Sequence, residues 1–397
     1  MAQPKYTAND SNTVSGYYDN PVPIWIPRSM EPLPDKLREN PMNLLMAERN
    51  DHLLSLLLAY SDPSAAHRAK FLGQREPQTR IALWVQDIFP ALRQALSDRE
   101  QIISNTSLAT AIMLASLEII SPTAFGYDIP WQRHLNLARD LMCKRLADLR
   151  RRGGLEEDRI CTFLWSWFAY LDVLGTLSGG TPDDGAARTW LLEYVTHTAA
   201  EDRDEIDCIM GFTARCMQLL AQIADLARRC DKERIKAGNW TPGSPSIQQA
   251  VELEEMVLES VSREVRPCRH IRSVGGQERR EMGLMNEAFH WAGTIHLHRR
   301  VLRKPSDHAD VQRAVGKIVD CMESIRKGGT AETGFLFPMF TAGCNSLDER
   351  QRARILERFR SVESNGMAQV YKARRLMEDV WVTGSPWQPL LCSEFIG

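Results

Sequence analysis

Apolar residues recur at helical spacing along most of the chain from residue 42 onward. Between Trp131 and Leu149 they return every three or four positions and polar residues fill the rest, which predicts an amphipathic helix with one buried face. The segment 107–120 is apolar almost all round and ends at Ser121-Pro122, so it predicts a central helix. Alternating β-branched runs bounded by turn signals do not stand out. The pattern therefore predicts an all-α fold.

Two further helical runs are predicted to supply the second half of the core. In each run the apolar residues return at intervals that place them on one side of a helix. Their predicted core faces consist of Ile247, Val251, Leu258, Val261 and Val265 in the first run, and of Met285, Ala288, Ala292, Ile295 and Leu302 in the second.

The segment from Ile160 to Ser178 is apolar enough to be mistaken for a membrane span, and its length is near the lower limit for one. Asp172 is its single charged residue, and a lone carboxylate is costly in lipid. The sequence Gly179-Gly180-Thr181-Pro182 is typical of an ordinary helix end. We therefore predict a buried core helix, in which Asp172 must find a hydrogen-bond donor or remain protonated.

The chain is predicted to form a single large multi-helix domain with an extended N-terminal arm. Residues 1–41 form the arm, because repeated prolines there forbid a regular helix. Residues 42–397 form the helical domain. The polar stretch 231–246 is the best internal boundary, and it would separate sub-halves at 42–230 and 247–397.

Composition narrows the class of protein. The 397 residues are 43% hydrophobic and 25% charged, as in a soluble globular protein, and the net charge of −2 argues against strong non-specific attraction to nucleic acid. The nine cysteines are widely spaced, with no Cys-x-x-Cys pair, which is typical of reduced, buried thiols in a cytosolic or nuclear protein. The N-terminus lacks an apolar signal core, so secretion is not expected.

Enzyme signatures are missing or weak. The sequence contains no phosphate-binding loop, no Gly-x-Ser-x-Gly elbow and no His-Glu-x-x-His pair. Glu287 and His290 would share one face of a helix, as in di-iron bundles, but those sites need that motif twice. His296 and His298 would point to opposite sides of a helix, about 200° apart. We therefore predict no catalytic residue and no metal ligand, and a helical metal-dependent enzyme is the weakest alternative.

Three ordered stretches share a resemblance to one family. Residues 165–179 read WSWFAYLDVLGTLSG, residues 286–306 include NEAFHW and IHLHRR and end at Pro-Ser, and residues 335–344 read FLFPMFTAGC, with Trp381 and Trp387 following. Together they resemble the fungal-specific transcription factor domain, the helical region that normally follows a six-cysteine binuclear zinc cluster. Residues in 51–69 and 129–135 agree, and they resemble the branch that includes regulators of arginine catabolism.

The resemblance implies a nuclear, non-enzymatic regulatory or effector domain that controls transcription by RNA polymerase II. The repeated Cys-x-x-Cys-x-x-x-x-x-x-Cys halves of the zinc cluster are absent from this sequence. DNA contact is therefore expected only indirectly, through an attached or partner module, and zinc only if an upstream cysteine cluster exists. The implied partners are a small-molecule inducer and either proteins of the transcription machinery or a second copy of the chain. A stand-alone interaction protein, acting as a decoy for zinc-cluster factors, is the alternative.

A ligand site is a further hypothesis. Trp167, Tyr170 and Asp172 belong to one apolar helix, and Phe337 and Phe340 belong to an aromatic segment that the resemblance places in the same domain. If these segments meet, they would form a mostly apolar cavity with a few polar groups, the usual form of a small-molecule site. Aromatic residues at helical spacing also commonly fill a core, and the sequence leaves both interpretations open.

Overall fold

The computed structural model describes most of the chain beyond residue 87, in ten segments. The predicted N-terminal arm and the glycine-rich turn after residue 178 lie outside the described residues. The described segments are 88–98, 100–120, 130–151, 159–178, 203–207, 210–237, 240–267, 275–364, 368–387 and 395–397.

The described segments are mostly helical, as predicted. Two strands of two residues each, β1 (Glu205–Ile206) and β2 (Arg266–Pro267), pair in parallel. The α-helices are α1 (Ile88–Ser97), α2 (Asn105–Ile120), α3 (Trp131–Arg151), α4 (Arg159–Ser178), α5 (Ala214–Ala237), α6 (Ser244–Val261), α7 (Gly276–His296), α8 (Ala309–Ser324), α9 (Thr330–Thr333), α10 (Leu336–Asn345), α11 (Glu349–Glu363) and α12 (Ala368–Thr383), with a 3-10 turn at Gln101–Ile103.

Helices α2 and α4 occupy the interior of the first half. Every residue from 107 to 120 is buried, which confirms the predicted central helix. Helix α3 packs on α2 through the predicted face, since Trp131, Leu135 and Met142 are all buried. Helix α4 is long and apolar enough to cross a membrane, but most of its apolar window is buried inside the protein, as expected of a core helix.

The second half is built around α7, which packs against α5, α8 and α10. Its predicted core face is largely confirmed, because Met285, Ala288, Ala292 and Ile295 are buried while Leu302 is only partly buried. Residues 231–237 of the predicted boundary complete α5. The buried residues of both halves belong to one hydrophobic cluster.

The predicted core face of α6 is wrong. Ile247, Val251 and Leu258 are 41–47% exposed, and Val261 and Val265 are only partly buried. The inward face consists instead of Ala250, Leu253, Val257 and Ser260, which lie about 100° further round the helix. Small side chains at Ala250 and Ser260 let α6 approach its neighbours closely, so packing outweighs the larger apolar area of the outward residues.

Most of the cysteines that the structure describes are buried, as expected, and Cys143 is an exception. Cys216, Cys230, Cys321 and Cys344 are buried free thiols, and Cys143 is an exposed one. Burial raises the pKa of Cys321 to about 12. These buried thiols therefore pack as small apolar residues.

Candidate functional site

Helix α7 changes its winding at a stretch rich in polar residues. From Leu297 to Val301 the backbone forms a π-helix, and the Leu302 N–H donates to the Leu297 carbonyl at 2.9 Å. Arg303 then takes a positive φ of 55°, which is uncommon for a residue other than glycine. Single π turns inside α-helices frequently occur at functional sites. The residues carried by this turn are therefore candidates for a functional role.

Arg300 joins three helices from the π turn. Its Nη2 donates to Asp231 Oδ2 of α5 at 2.7 Å, and its Nη1 donates to the Leu177 carbonyl at 2.9 Å. The last carbonyl groups of a helix lack partners within that helix, so Arg300 closes the C-terminal end of α4. The side chain is only 5% exposed, and its carboxylate partner Asp231 also forms an ion pair with Arg234 at 2.7 Å. Arg300 therefore fixes the relative position of α4, α5 and α7.

His298 and Arg303 extend this polar cluster towards α6. His298 Nε2 lies 3.0 Å from Glu254 Oε1, and this hydrogen bond lowers the pKa of the Glu254 carboxyl. Arg303 Nη1 donates to the Trp240 carbonyl at 2.5 Å. The π turn and the residue Arg303 that follows it thus contact α6 and the connection between α5 and α6, as well as the end of α4.

His296, immediately before the π turn, faces the opposite direction from His298. Its ring stacks on Phe337 of α10, with centroids 5.4 Å apart and planes 7° apart, and meets the edge of Trp387 at 5.5 Å. Complete burial lowers the pKa of His296 well below its usual value, and nearby Arg300 adds to this effect. The prediction that His296 and His298 cannot hold one metal ion agrees with this geometry.

A continuous chain of rings links α4 to α10. Tyr170 contacts Phe212 at 6.2 Å between centroids, Phe212 contacts Phe289 at 4.3 Å, and Phe289 contacts Phe337 at 5.8 Å. Beyond His296, Trp387 contacts the ring of Phe340 edge-on at 5.9 Å. The structure therefore connects Tyr170 of the predicted ligand set with Phe337 and Phe340, through intervening rings and not by direct contact.

The other two members of the predicted ligand set point elsewhere. Trp167 is partly buried and packs its ring against Phe163 at 5.9 Å. Asp172 is buried and accepts a hydrogen bond from Arg139 Nη2 of α3 at 2.5 Å, which confirms that its carboxylate finds a donor. Tyr170 and Asp172 differ by about 200° around α4. Asp172 therefore faces α3, away from the ring chain.

Glu287 and His290 make separate hydrogen bonds. Glu287 accepts from Trp291 Nε1 at 3.1 Å. His290 Nδ1 donates to the Asn286 carbonyl at 2.7 Å, so its Nε2 accepts from the Ser260 hydroxyl at 2.8 Å. This Ser–His contact resembles a nucleophile and its base, but both side chains are buried, and burial lowers the pKa of His290 to about 4. Among the described residues, no group of three or more potential ligands could hold a metal ion.

The residues around the π turn belong to one of the family-like stretches, but the sequence pattern indicates no individual role for them. The missed residues are His296, Arg300 and Trp387. A signal was present, because His296, His298 and Arg300 interrupt a stretch whose apolar residues mark a buried helix. Polar groups in such a stretch must be hydrogen-bonded or functional. Their partners on other helices could not be identified from the sequence.

The chain was compared with known protein families, curated proteins and solved structures. A family described as the fungal specific transcription factor domain matches residues 16–383. No curated protein and no solved structure matches the chain.

Proposed function

The chain belongs to the fungal-specific transcription factor domain family, and from this we propose that it is a regulatory domain controlling transcription by RNA polymerase II in the nucleus. It acts through an attached or partner DNA-binding module. The observation that carries the proposal is the family match, which spans residues 16–383. Function here rests on family membership, since a helical fold alone is compatible with many activities.

The packing of the three family-like stretches supports this proposal. Arg300 of the second stretch donates to the Leu177 carbonyl of the first, and His296 of the second stacks on Phe337 of the third. Trp387 lies against both His296 and Phe340. The residues that carry the resemblance therefore form one connected unit.

A reporter assay tests the proposal. The chain is fused to a heterologous zinc-cluster DNA-binding domain and expressed in yeast, and transcription from a promoter with the matching site is measured. We expect transcription to change in either direction relative to the DNA-binding domain alone. The matched control carries Arg300→Leu together with Asp231→Leu, which disconnects the π turn from α5. An intact, nuclear fusion with no effect on the reporter would contradict a regulatory role.

Direct DNA recognition is not part of the proposed role. The net charge of −2 offers no strong field for phosphates. We expect the purified chain to bind duplex DNA only non-specifically at physiological salt. A site-specific, sub-micromolar complex in a gel-shift assay would contradict this expectation.

The alternative is a decoy that pairs with full-length zinc-cluster factors. Co-precipitation with such factors, combined with repression of their reporters by the unfused chain, would favour it over the leading proposal.

Regulation by a small molecule is part of the proposal. Phe337, Phe340 and Tyr170 lie along the ring chain, whereas Asp172 is already paired with Arg139. Thermal-shift screening against amino acids and fungal metabolites tests whether any compound stabilises the fold, by about 2.7 kcal/mol at a hundredfold excess over its dissociation constant. A Trp167→Ala variant that folds and keeps the full shift would remove Trp167 from the site.

A further inference from the structure

Two buried N–H groups at the end of the ring chain have no acceptor among the residues that the structure describes. His296 Nε2 and Trp387 Nε1 both lie in buried side chains, and neither has a hydrogen-bond partner within the part of the chain that the structure describes. Their rings are in contact, with centroids 5.5 Å apart. Buried donors are nearly always paired in folded proteins, so two orphans in adjoining rings indicate a missing acceptor.

The protonation state of His296 follows from its other neighbour. Arg300 Nη1 lies 3.4 Å from His296 Nδ1, and a guanidinium can only donate. His296 Nδ1 therefore accepts, and in the neutral ring the proton sits on Nε2. An indole Nε1 is likewise a donor only. Both orphan groups thus require an acceptor.

The side chains around these two N–H groups indicate what kind of molecule could supply the acceptor. Phe337 stacks on His296, and Phe340 meets Trp387. The buried Thr341 hydroxyl, one turn beyond Phe337 on α10, also has no partner among the described residues. The two donors therefore lie against aromatic rings, and a mostly apolar lining with a few polar groups is the usual composition of a small-molecule site.

The local charge favours a neutral acceptor. His296 is neutral, and the nearby guanidinium of Arg300 already donates to Asp231 Oδ2, through Nη2 at 2.7 Å, and to the Leu177 carbonyl, through Nη1 at 2.9 Å. A buried carboxylate at these two N–H groups would meet neutral donors, because the Arg300 donors are already engaged, and burying a charge without a charged partner is costly. A carbonyl oxygen can accept two hydrogen bonds and carries no charge.

We propose that His296 and Trp387 together bind the carbonyl oxygen of a neutral, largely apolar small molecule, such as a ketone, lactone or amide. Phe337 and Phe340 contact its apolar body. This inference deepens the proposed function by assigning a ligand class to its regulatory site. His296 Nδ1 contacts Arg300, and Arg300 donates to the Leu177 carbonyl at the end of α4. A ligand bound to His296 would therefore be connected to the end of α4 through these two side chains.

The test uses cyclohexanone as the carbonyl probe, methylcyclohexane as its uncharged hydrocarbon match and cyclohexanecarboxylate as its charged match. The ¹H–¹⁵N resonance of the Trp387 indole is assigned by its disappearance in Trp387→Phe. We expect cyclohexanone to move this resonance and to raise Tm, and we expect neither hydrocarbon nor carboxylate to move it. Trp387→Phe and His296→Phe should each weaken cyclohexanone binding by about tenfold, the value of one good hydrogen bond.

Trp381→Phe is the matched control, because the Trp381 indole already donates to the Gly343 carbonyl at 2.8 Å. It should leave the response to cyclohexanone unchanged. The proposal is overturned if cyclohexanone fails to move the Trp387 resonance, if methylcyclohexane moves it equally, or if the carboxylate binds more tightly. If His296→Phe does not fold, Trp387→Phe alone decides the outcome.

The binding measurement is independent of the reporter assay. Probe binding to a domain that leaves transcription unchanged would refute the proposed function while this inference stands. A regulatory effect without probe binding would refute this inference and leave the proposed function standing.

Discussion

At the scale of single residues, two buried arginines donate hydrogen bonds to the C-terminal carbonyl groups of helices that are distant in sequence. Arg300 does so for α4, and Arg358 donates through Nη2 to the Met322 and Ile325 carbonyls at the end of α8. Each arginine also pairs with a carboxylate, Asp231 for Arg300 and Glu332 for Arg358. A buried guanidinium with several hydrogen bonds specifies one arrangement of helices, since any other leaves its donors unpaired.

Removing the Arg300 side chain should destabilise the fold strongly. Arg300→Leu removes the donor to the α4 carbonyls and the buried partner of Asp231, which keeps its ion pair with Arg234, so the free energy of unfolding should fall by about 2–4 kcal/mol. Urea denaturation measures this loss. Arg313→Ala is the control, because Arg313 is 57% exposed and pairs with Asp310 at the surface, where the change should stay within about 0.5 kcal/mol. Equal losses in the two variants would contradict the cross-linking role.

Buried histidines should make stability depend on pH below about pH 6.5. Burial lowers the pKa values of His134 and His290 to about 4, from an ordinary value of 6.5. Between these values the unfolded chain binds protons that the folded chain does not. The free energy of unfolding is therefore fully present above pH 6.5 and falls as the pH drops towards 4, by about 1.4 kcal/mol per pH unit for each histidine.

Chemical denaturation between about pH 7 and pH 5 checks this slope. His290→Gln should reduce the slope of unfolding free energy against pH by the contribution of one histidine. Ser260→Ala removes the hydroxyl bonded to His290 but keeps the buried imidazole, so it should lower stability and retain the slope. A free energy of unfolding that stays constant over this range would contradict the assignment.

At the scale of secondary-structure elements, α6 is a helix in which the face with the larger apolar residues is not the face that is buried. We expect Leu253→Ala to cost about 2–4 kcal/mol, because Leu253 is on the inward face, and Leu258→Ala to cost less than about 0.5 kcal/mol, because Leu258 is 47% exposed. Thermal or urea unfolding of the two variants measures the difference. A larger loss of stability in Leu258→Ala than in Leu253→Ala would contradict the observed orientation and support the one that the sequence pattern predicts.

Helix α4 approaches α3 closely at Gly175. A Cβ atom added there would lie 2.5 Å from Cη2 of Trp131, whose ring is held edge-on by Phe395 at 5.3 Å. Gly175→Ala should therefore cost about 1–3 kcal/mol through overpacking, despite the better helix propensity of alanine.

Gly316→Ala in α8 is the control, since a Cβ there meets nothing within 4 Å. That change should stabilise the protein by about 0.5–1 kcal/mol. Melting temperatures that move in the same direction for both variants would argue against the close approach.

Local pattern predicted α2, α3 and α4 because each one is decided by its own residues: an apolar run, an amphipathic face, or a glycine-proline stop. It failed for α6 because two faces of that helix could be buried and its neighbours decided between them. The same limit applies to the polar cluster. The sequence marks His296 and Arg300 as polar residues in an apolar stretch, but their partners Asp231 and Trp387 lie far away in the chain. Such pairings depend on tertiary packing, which a local pattern does not contain.

At the scale of the whole molecule, the two halves share one core and are closed by contacts between residues distant in sequence. Ser178 at the end of α4 accepts a hydrogen bond from the Ile396 N–H at 3.2 Å, across a separation of 218 residues. Phe395 packs against Trp131 in the same region. The first half is therefore incomplete without residues 395–397.

This closure has a consequence for biosynthesis. A ribosome adds about 5–20 residues per second, so the nascent α4 waits roughly 10–45 s for the segment that completes its surroundings. During that interval its apolar surface is open to other nascent chains, and holding chaperones would bind it. The yield of soluble protein should consequently depend on translation speed and on chaperone supply more than the stability of the finished fold suggests.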